Sequence, residues 1–182
     1  MNAPISAGVF ALCLLTAVQQ EKPAPREDHS CPMREQQKSS SEDQQHRGVV
    51  QRGDQLMGFS HDRTTHHFRL YIGGGAIEVE SNDAKDTASR DAIRFHLGHI
   101  VTMFAAGDFS APMLIHAQDP PGSEEMKRRI NVIQYKLENM ERGARILITT
   151  KDADALQAVY GFLRFQISDH ETDDPMNVTK AP

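Results

Sequence analysis

The sequence predicts an α+β fold built from duplicated ββα units (ββαββα), a four-stranded antiparallel sheet with two helices on one face. Three observations carry this expectation. Two stretches alternate apolar and polar residues around a turn signal, each is followed by a capped segment with apolar residues at helical spacing, and the two halves keep the same order.

In the first unit, His66 to Ile72 (HHFRLYI) places Phe68, Leu70 and Ile72 on one face and His67, Arg69 and Tyr71 on the other. Gly73-Gly74-Gly75 supplies a turn and Ala76-Ile77-Glu78-Val79-Glu80 alternates again, which reads as a β-hairpin. SNDAKDTASRD then offers helix caps. Ile93, Leu97, Ile100, Val101 and Phe104 recur at helical spacing, so a helix runs from about Thr87 to Ala106 and stops at Gly107.

The second unit repeats the plan. Ile130 to Glu138 alternates, ERG turns, Ala144 to Thr150 returns, and a helix follows from about Ala153 to Ile167 with Leu156, Val159, Leu163 and Ile167 inward. Such a sheet buries one face and leaves the other free, which suits a homodimer or a ligand platform. Between the units, Gly107 to Ser123 holds Pro112, Pro120 and Pro121 and reads as a long irregular loop of the kind that carries function.

Ahead of the domain, residues 1–20 carry no charged side chain, and Ala7 to Val18 is an apolar run too short to span a bilayer as a helix. The segment reads as a secretory signal peptide, although no Lys or Arg precedes the apolar run. An uncleaved membrane anchor is the alternative. Residues 21–55, rich in Gln, Ser, Glu and Asp, read as a disordered linker, 56–170 as the folded domain, and 171–182 as a disordered tail. Cleavage of the leader would leave Cys31 as the one thiol, so no internal disulfide staples the domain. His29, Cys31 and Met33 together suit a soft metal, but they sit in the linker.

The 20 Lys+Arg and 25 Asp+Glu give a net charge of −5, which argues against a nucleic-acid partner because no basic face is present to displace counterions from phosphates. No GxSxG elbow, Walker A loop or HExxH zinc signature occurs. The 9 His and 8 Met are therefore the candidates for site chemistry.

His66 and His67 point to opposite faces of their strand, with His66 on the core side beside Phe68. On the first helix His96, His99 and Met103 fall within about 60° of one another, a pattern that can hold one soft ion or simply border the apolar stripe. His116 lies in the Pro-rich loop. His170 follows the second helix beside Asp169, as a carboxylate–imidazole pair or as an answer to the helix dipole.

The strings MGF, TTHHF, IRFHL, AAGDFSAPM, IHAQDPPG and FLRFQISDHETDD, covering about Cys31 to Asp174, resemble a family of secreted bacterial proteins. These motifs mark the family rather than a reaction. Members similar to this chain often read CPMH where it has Cys31-Pro32-Met33-Arg34, which weakens any metal site there. Some members bear an aspartate carbamoyltransferase label. The present chain argues against that activity, being too short for two α/β domains and lacking a Ser-Thr-Arg-Thr phosphate loop. The resemblance implies secretion and the domain boundary.

The leading functional expectation is a secreted or periplasmic metal-binding protein, copper or another transition metal, that sequesters or delivers the ion through His67, His96, His99, Met103, His116 and His170. A stable membrane insertion after leader cleavage is not expected. One alternative is a histidine-dependent enzyme, with His116 or the Asp169–His170 pair as general base where loop 107–123 meets the end of the second helix. The other is a non-catalytic homodimeric binding module using the outer sheet face.

Overall fold

The computed structural model describes residues 32–181, with side chains from residue 43 onward. The expected leader and Cys31 lie outside the described residues. Four strands, β1 (Thr64–Tyr71), β2 (Gly74–Ser81), β3 (Ile133–Asn139) and β4 (Gly143–Thr150), form one antiparallel sheet in the order β1-β2-β4-β3. Among the described residues five α-helices accompany it: α1 (Pro32–Met57), α2 (Thr87–Ala105), α3 (Ser110–His116), α4 (Ser123–Arg128) and α5 (Ala153–Asp169). The α+β class and the strand–turn–strand–helix order, run through twice, are as the alternation indicated. Among the described residues, no helix is long and apolar enough to cross a membrane.

Both long core helices begin at an aspartate. The Asp86 side chain accepts from the Ser89 amide of α2 at 3.1 Å, and Asp152 accepts from the Ala155 amide of α5 at 2.8 Å. Each satisfies a first-turn N–H that the helix cannot pair internally.

Each helix packs chiefly against the hairpin of the other unit, α2 over β3 and β4, α5 over β1 and β2. Phe68 and Leu70 of β1, Ile77 and Val79 of β2, and Ile146 and Ile148 of β4 meet Ile93, Leu97 and Phe104 of α2 and Phe162 and Leu163 of α5 in one buried cluster. This crossing brings residues distant in sequence, from β1 and from the end of α5, to a common wall.

Four expectations are corrected. Residues 21–55 are not linker throughout, because α1 spans Pro32–Met57. Its second half is docked: Val49 is buried, the Arg52 Nε donates to the Ile115 carbonyl at 2.7 Å, and the Gln45 amide donates to the His116 carbonyl at 3.1 Å. These tertiary bonds offset what a polar segment with few apolar residues cannot gain by burial alone.

The described tail, residues 171–181, is not loose either: it is tied down at Asp174 and Thr179. The buried Asp174 carboxylate accepts from His67, from the Phe68 amide at 2.9 Å and from Arg69 at 2.7 Å, and Thr179 bridges to Tyr71 as a parallel addition to the sheet edge.

The loop 107–123 contains α3, and α4 begins at its last residue, Ser123. Pro112 is the third residue of α3, within the first turn, where a missing N–H costs the helix nothing.

The hairpin turn is also tighter than GGG suggested. Tyr71 pairs with Gly74, leaving Ile72 and Gly73 as the loop, so Ile72 is exposed rather than inward. Gly73 takes φ 84°, a left-handed value, while Gly75 lies inside β2 where a Cβ would fall 2.3 Å from both the Arg69 carbonyl oxygen and Leu163 Cδ1.

Candidate histidine pocket

A cavity of about 60 Å³ opens where the inner sheet face, α2, α3 and α5 meet under the end of α1. Its walls are mostly apolar: Phe68, Ile77 and Val79 from the sheet, Leu97, Ile100 and Phe104 from α2, Ile115 from α3 and Phe162 from α5. The polar groups set into this lining are His66, His96, His116, His170 and Gln166, and Met57 adds a thioether.

Local periodicity explains each placement. His66 stands two residues before Phe68 and shares its face. On α5, Val159, Leu163, Gln166 and His170 follow at steps of four, three and four, one stripe that continues the apolar face into the pocket. His116 closes α3 and is turned inward, 1% exposed.

His116 is held on both sides of its ring. Its Nδ1 lies 2.5 Å from Asp169 Oδ2, and its Nε2 lies 2.9 Å from Gln166 Oε1. The carboxylate fixes the ring's orientation and keeps a proton on Nδ1. The Gln166 amide nitrogen is buried with no partner among the described residues. Half a turn of that amide exchanges acceptor for donor, so Gln166 can pair with His116 Nε2 whether that nitrogen donates or accepts.

His66 is sandwiched between Phe59 and His170, with ring centroids 6.0 and 5.7 Å away and planes inclined 26° and 11°. His170 meets His116 edge-on at 5.0 Å. His96 stands across Phe59, 5.7 Å from that ring. The His66 Nε2 is buried and unpartnered among the described residues.

Burial pushes His66 down to about 4, reinforced by the neighbouring His96 and His67, and does the same to His96, helped by His99. His170 is likewise held well below the ordinary histidine range by burial and then by His66 and His116. At neutral pH these three imidazoles are uncharged, each with a free lone pair.

The residues singled out by spacing do not all converge. His96, His116 and His170 reach the cavity. His67 lies on the opposite face of the sheet, with its Nδ1 3.0 Å from Asp174. His99 is exposed on the outside of α2, and Met103 packs against the core rather than lining the pocket. Asp169 does not pair with its neighbour His170: successive helical positions diverge by about 100°, and Asp169 turns to His116 instead.

Met57, His66 and Gln166 join the site although spacing had not selected them as ligands. The alternation already put His66 on the core side; for Gln166 the available signal was its position three residues after Leu163, at helical spacing. Among the described residues, no group of three or more His, Cys, Asp or Glu side chains is already arranged to hold a metal ion.

The outer sheet face is a lattice of ion pairs, with Arg145 2.7 Å from Glu138 and Arg69 3.5 Å from Glu78.

Comparison with known proteins adds no relative. Neither family models, curated proteins nor solved structures match this chain.

Proposed function

We propose that this is an exported metal-binding protein that holds one soft or borderline transition-metal ion, copper favoured, in the histidine pocket and sequesters or delivers it without turning over a substrate. The observation that carries the reading is the row of three imidazoles from three elements, His66 (β1), His170 (end of α5) and His116 (α3), with ring centroids 5.7 and 5.0 Å apart beside one cavity.

Imidazoles sharing a tetrahedral ion at metal–nitrogen bonds near 2 Å have centroids roughly 5 Å apart. Their nitrogens do not meet at one point in this state, so capture includes a turn of the His66 and His170 rings. The cavity volume of about 60 Å³ favours an ion, since a water needs roughly 10–15 Å³ and organic ligands usually occupy several hundred.

Uncharged imidazoles beside the Met57 thioether, with no carboxylate facing the cavity, suit copper(I) better than magnesium or calcium. Asp169 behind His116 is the outer partner that metal-bound histidines commonly have. Export rests on the apolar, uncharged leader, and signal-peptide processing on expression in a bacterial host tests that part.

Anaerobic titration of the mature chain with copper(I), and aerobic titration with zinc, tests the binding. One equivalent should bind to the parent protein and be lost in His66→Ala and His170→Ala, while His67→Ala and His99→Ala keep it. Binding no tighter than that of an ordinary surface histidine would overturn the reading.

One observation favours a second reading, an enzyme. The Asp169–His116 pair lies where the 107–123 segment meets the C-terminal end of α5, the arrangement a histidine general base needs. Turnover of small esters or amides that disappears in His116→Ala would support it over the metal reading.

A further inference from the structure

The two edges of the sheet are finished differently. In the order β1-β2-β4-β3, β1 and β3 are the outer strands. The tail covers the β1 edge: the Ile72 amide donates to the Thr179 carbonyl at 2.8 Å, and the Thr179 amide donates to the Leu70 carbonyl at 2.9 Å. Among the described residues, no strand or bridge pairs with the free side of β3. At the hairpin end the Met140 amide donates to the Gly143 carbonyl at 3.0 Å, and the ladder from Ile133↔Thr150 to Asn139↔Ala144 skips no residue. Alternation along that ladder turns the N–H and C=O groups of Tyr135, Leu137 and Asn139 to the free side. Of the usual guards of an open edge, β3 has no proline and no bulge, only Lys136.

We propose that β3 pairs antiparallel with β3 of a second copy of this chain, about a two-fold axis at Leu137, and joins the two four-stranded sheets edge to edge. The charges select this register. With the axis at Lys136 the two lysines oppose each other, and with it at Glu138 the two glutamates do. With the axis at Leu137, Lys136 of each strand stands opposite Glu138 of the other. The outward backbone groups of Leu137 then meet those of the second Leu137, and those of Tyr135 meet those of Asn139. The lysine that repels other strands is thereby complementary to a second β3.

The side facing α2 agrees. Leu137 is half-buried, and above it stands Gly98, where a Cβ would lie 3.6 Å from Leu137 Cδ2. With no side chain on Gly98 to cover it, Leu137 is completed by its counterpart across the axis. The pairing also sets a second α2 beside the first on the joined sheet, and Phe95, three residues before Gly98, is 83% exposed and open to it. The proposal is independent of what the histidine pocket holds.

Sedimentation velocity of the mature chain over a concentration series tests it, and the parent should be a dimer. Lys136→Glu sets glutamate against glutamate twice across the axis and should weaken dimerisation about tenfold or more. Lys136→Glu/Glu138→Lys makes the pairs opposite again and should restore the dimer. Circular dichroism verifies that each variant is folded. Amide hydrogen exchange of the parent gives a reading without variants: the Leu137 and Asn139 amides should exchange more slowly at concentrations where the dimer forms. A dimer that Lys136→Glu leaves as tight as the parent, that the double exchange fails to recover, or that leaves those amides unprotected overturns pairing at β3. A parent that stays monomeric overturns it too, whether or not a strand of another protein takes that edge.

Discussion

The Nδ1 of His116 lies 2.5 Å from Oδ2 of Asp169, across 53 residues of sequence. This contact joins the end of α3 to the end of α5 and sets the orientation of the one imidazole in the pocket that has a carboxylate behind it. Asp169→Asn keeps the shape and removes the charge. It should lower stability by about 1.5–3 kcal/mol, the range for hydrogen bonds to charged groups, and weaken metal binding by about 10–100-fold. Urea unfolding and copper(I) competition titration read the two effects separately.

His66 separates stability from function. Its buried Nε2 has no partner among the described residues, and the ring lies between Phe59 and His170. His66→Phe removes an unsatisfied polar atom worth about 1–3 kcal/mol and keeps an aromatic ring in the stack. The variant should therefore melt at or above the parent temperature while failing to bind metal. A large drop in melting temperature would show that His66 is retained for folding.

The acid limb of stability should carry the histidine signature. His66 and His96 sit near 4 in the fold against 6.5 unfolded, so the unfolded chain binds more protons between those values. Their contribution is fully present above about pH 6.5 and is lost as pH falls through 4, at up to ~1.4 kcal/mol per pH unit for a fully buried histidine such as His66. Denaturation curves between pH 7 and 4 should show this slope, and His66→Phe should flatten it.

The turn glycine Gly73 and the strand glycine Gly75 should differ in cost. Gly73→Ala meets a left-handed φ of 84° and little else, for about 1–2 kcal/mol. Gly75→Ala forces a methyl group against the Arg69 carbonyl and Leu163, both 2.3 Å away, and should cost about 3 kcal/mol or more. Thermal melts of the two variants decide it. Equal costs would mean that β2 can shift away from β1 and α5.

Much of the fold was legible because it rests on local periods. The alternation around Phe68 and Leu70, the helical spacing of Ile93, Leu97, Ile100 and Phe104, and the caps at Asp86 and Asp152 each follow from a few adjacent residues. Helix α1 was not legible, because its polar composition gives no sign of the Arg52 and Gln45 bonds that dock it. The ordered tail was hidden for the same reason: Asp174 reads as one more acidic residue until β1 is beside it.

For the site, the sequence by itself singled out the histidines as the candidates for chemistry and placed His66 on the core side and His67 on the other. That placement depends on strand geometry within a single element. Only the tertiary structure decided that β1, α3 and α5 converge, that Asp169 serves His116 rather than the adjacent His170, and that His99 and Met103 stay outside. Each of these outcomes depends on how α2 and α5 cross onto the opposite hairpins, a packing choice made by residues far apart in the chain and invisible to any local period.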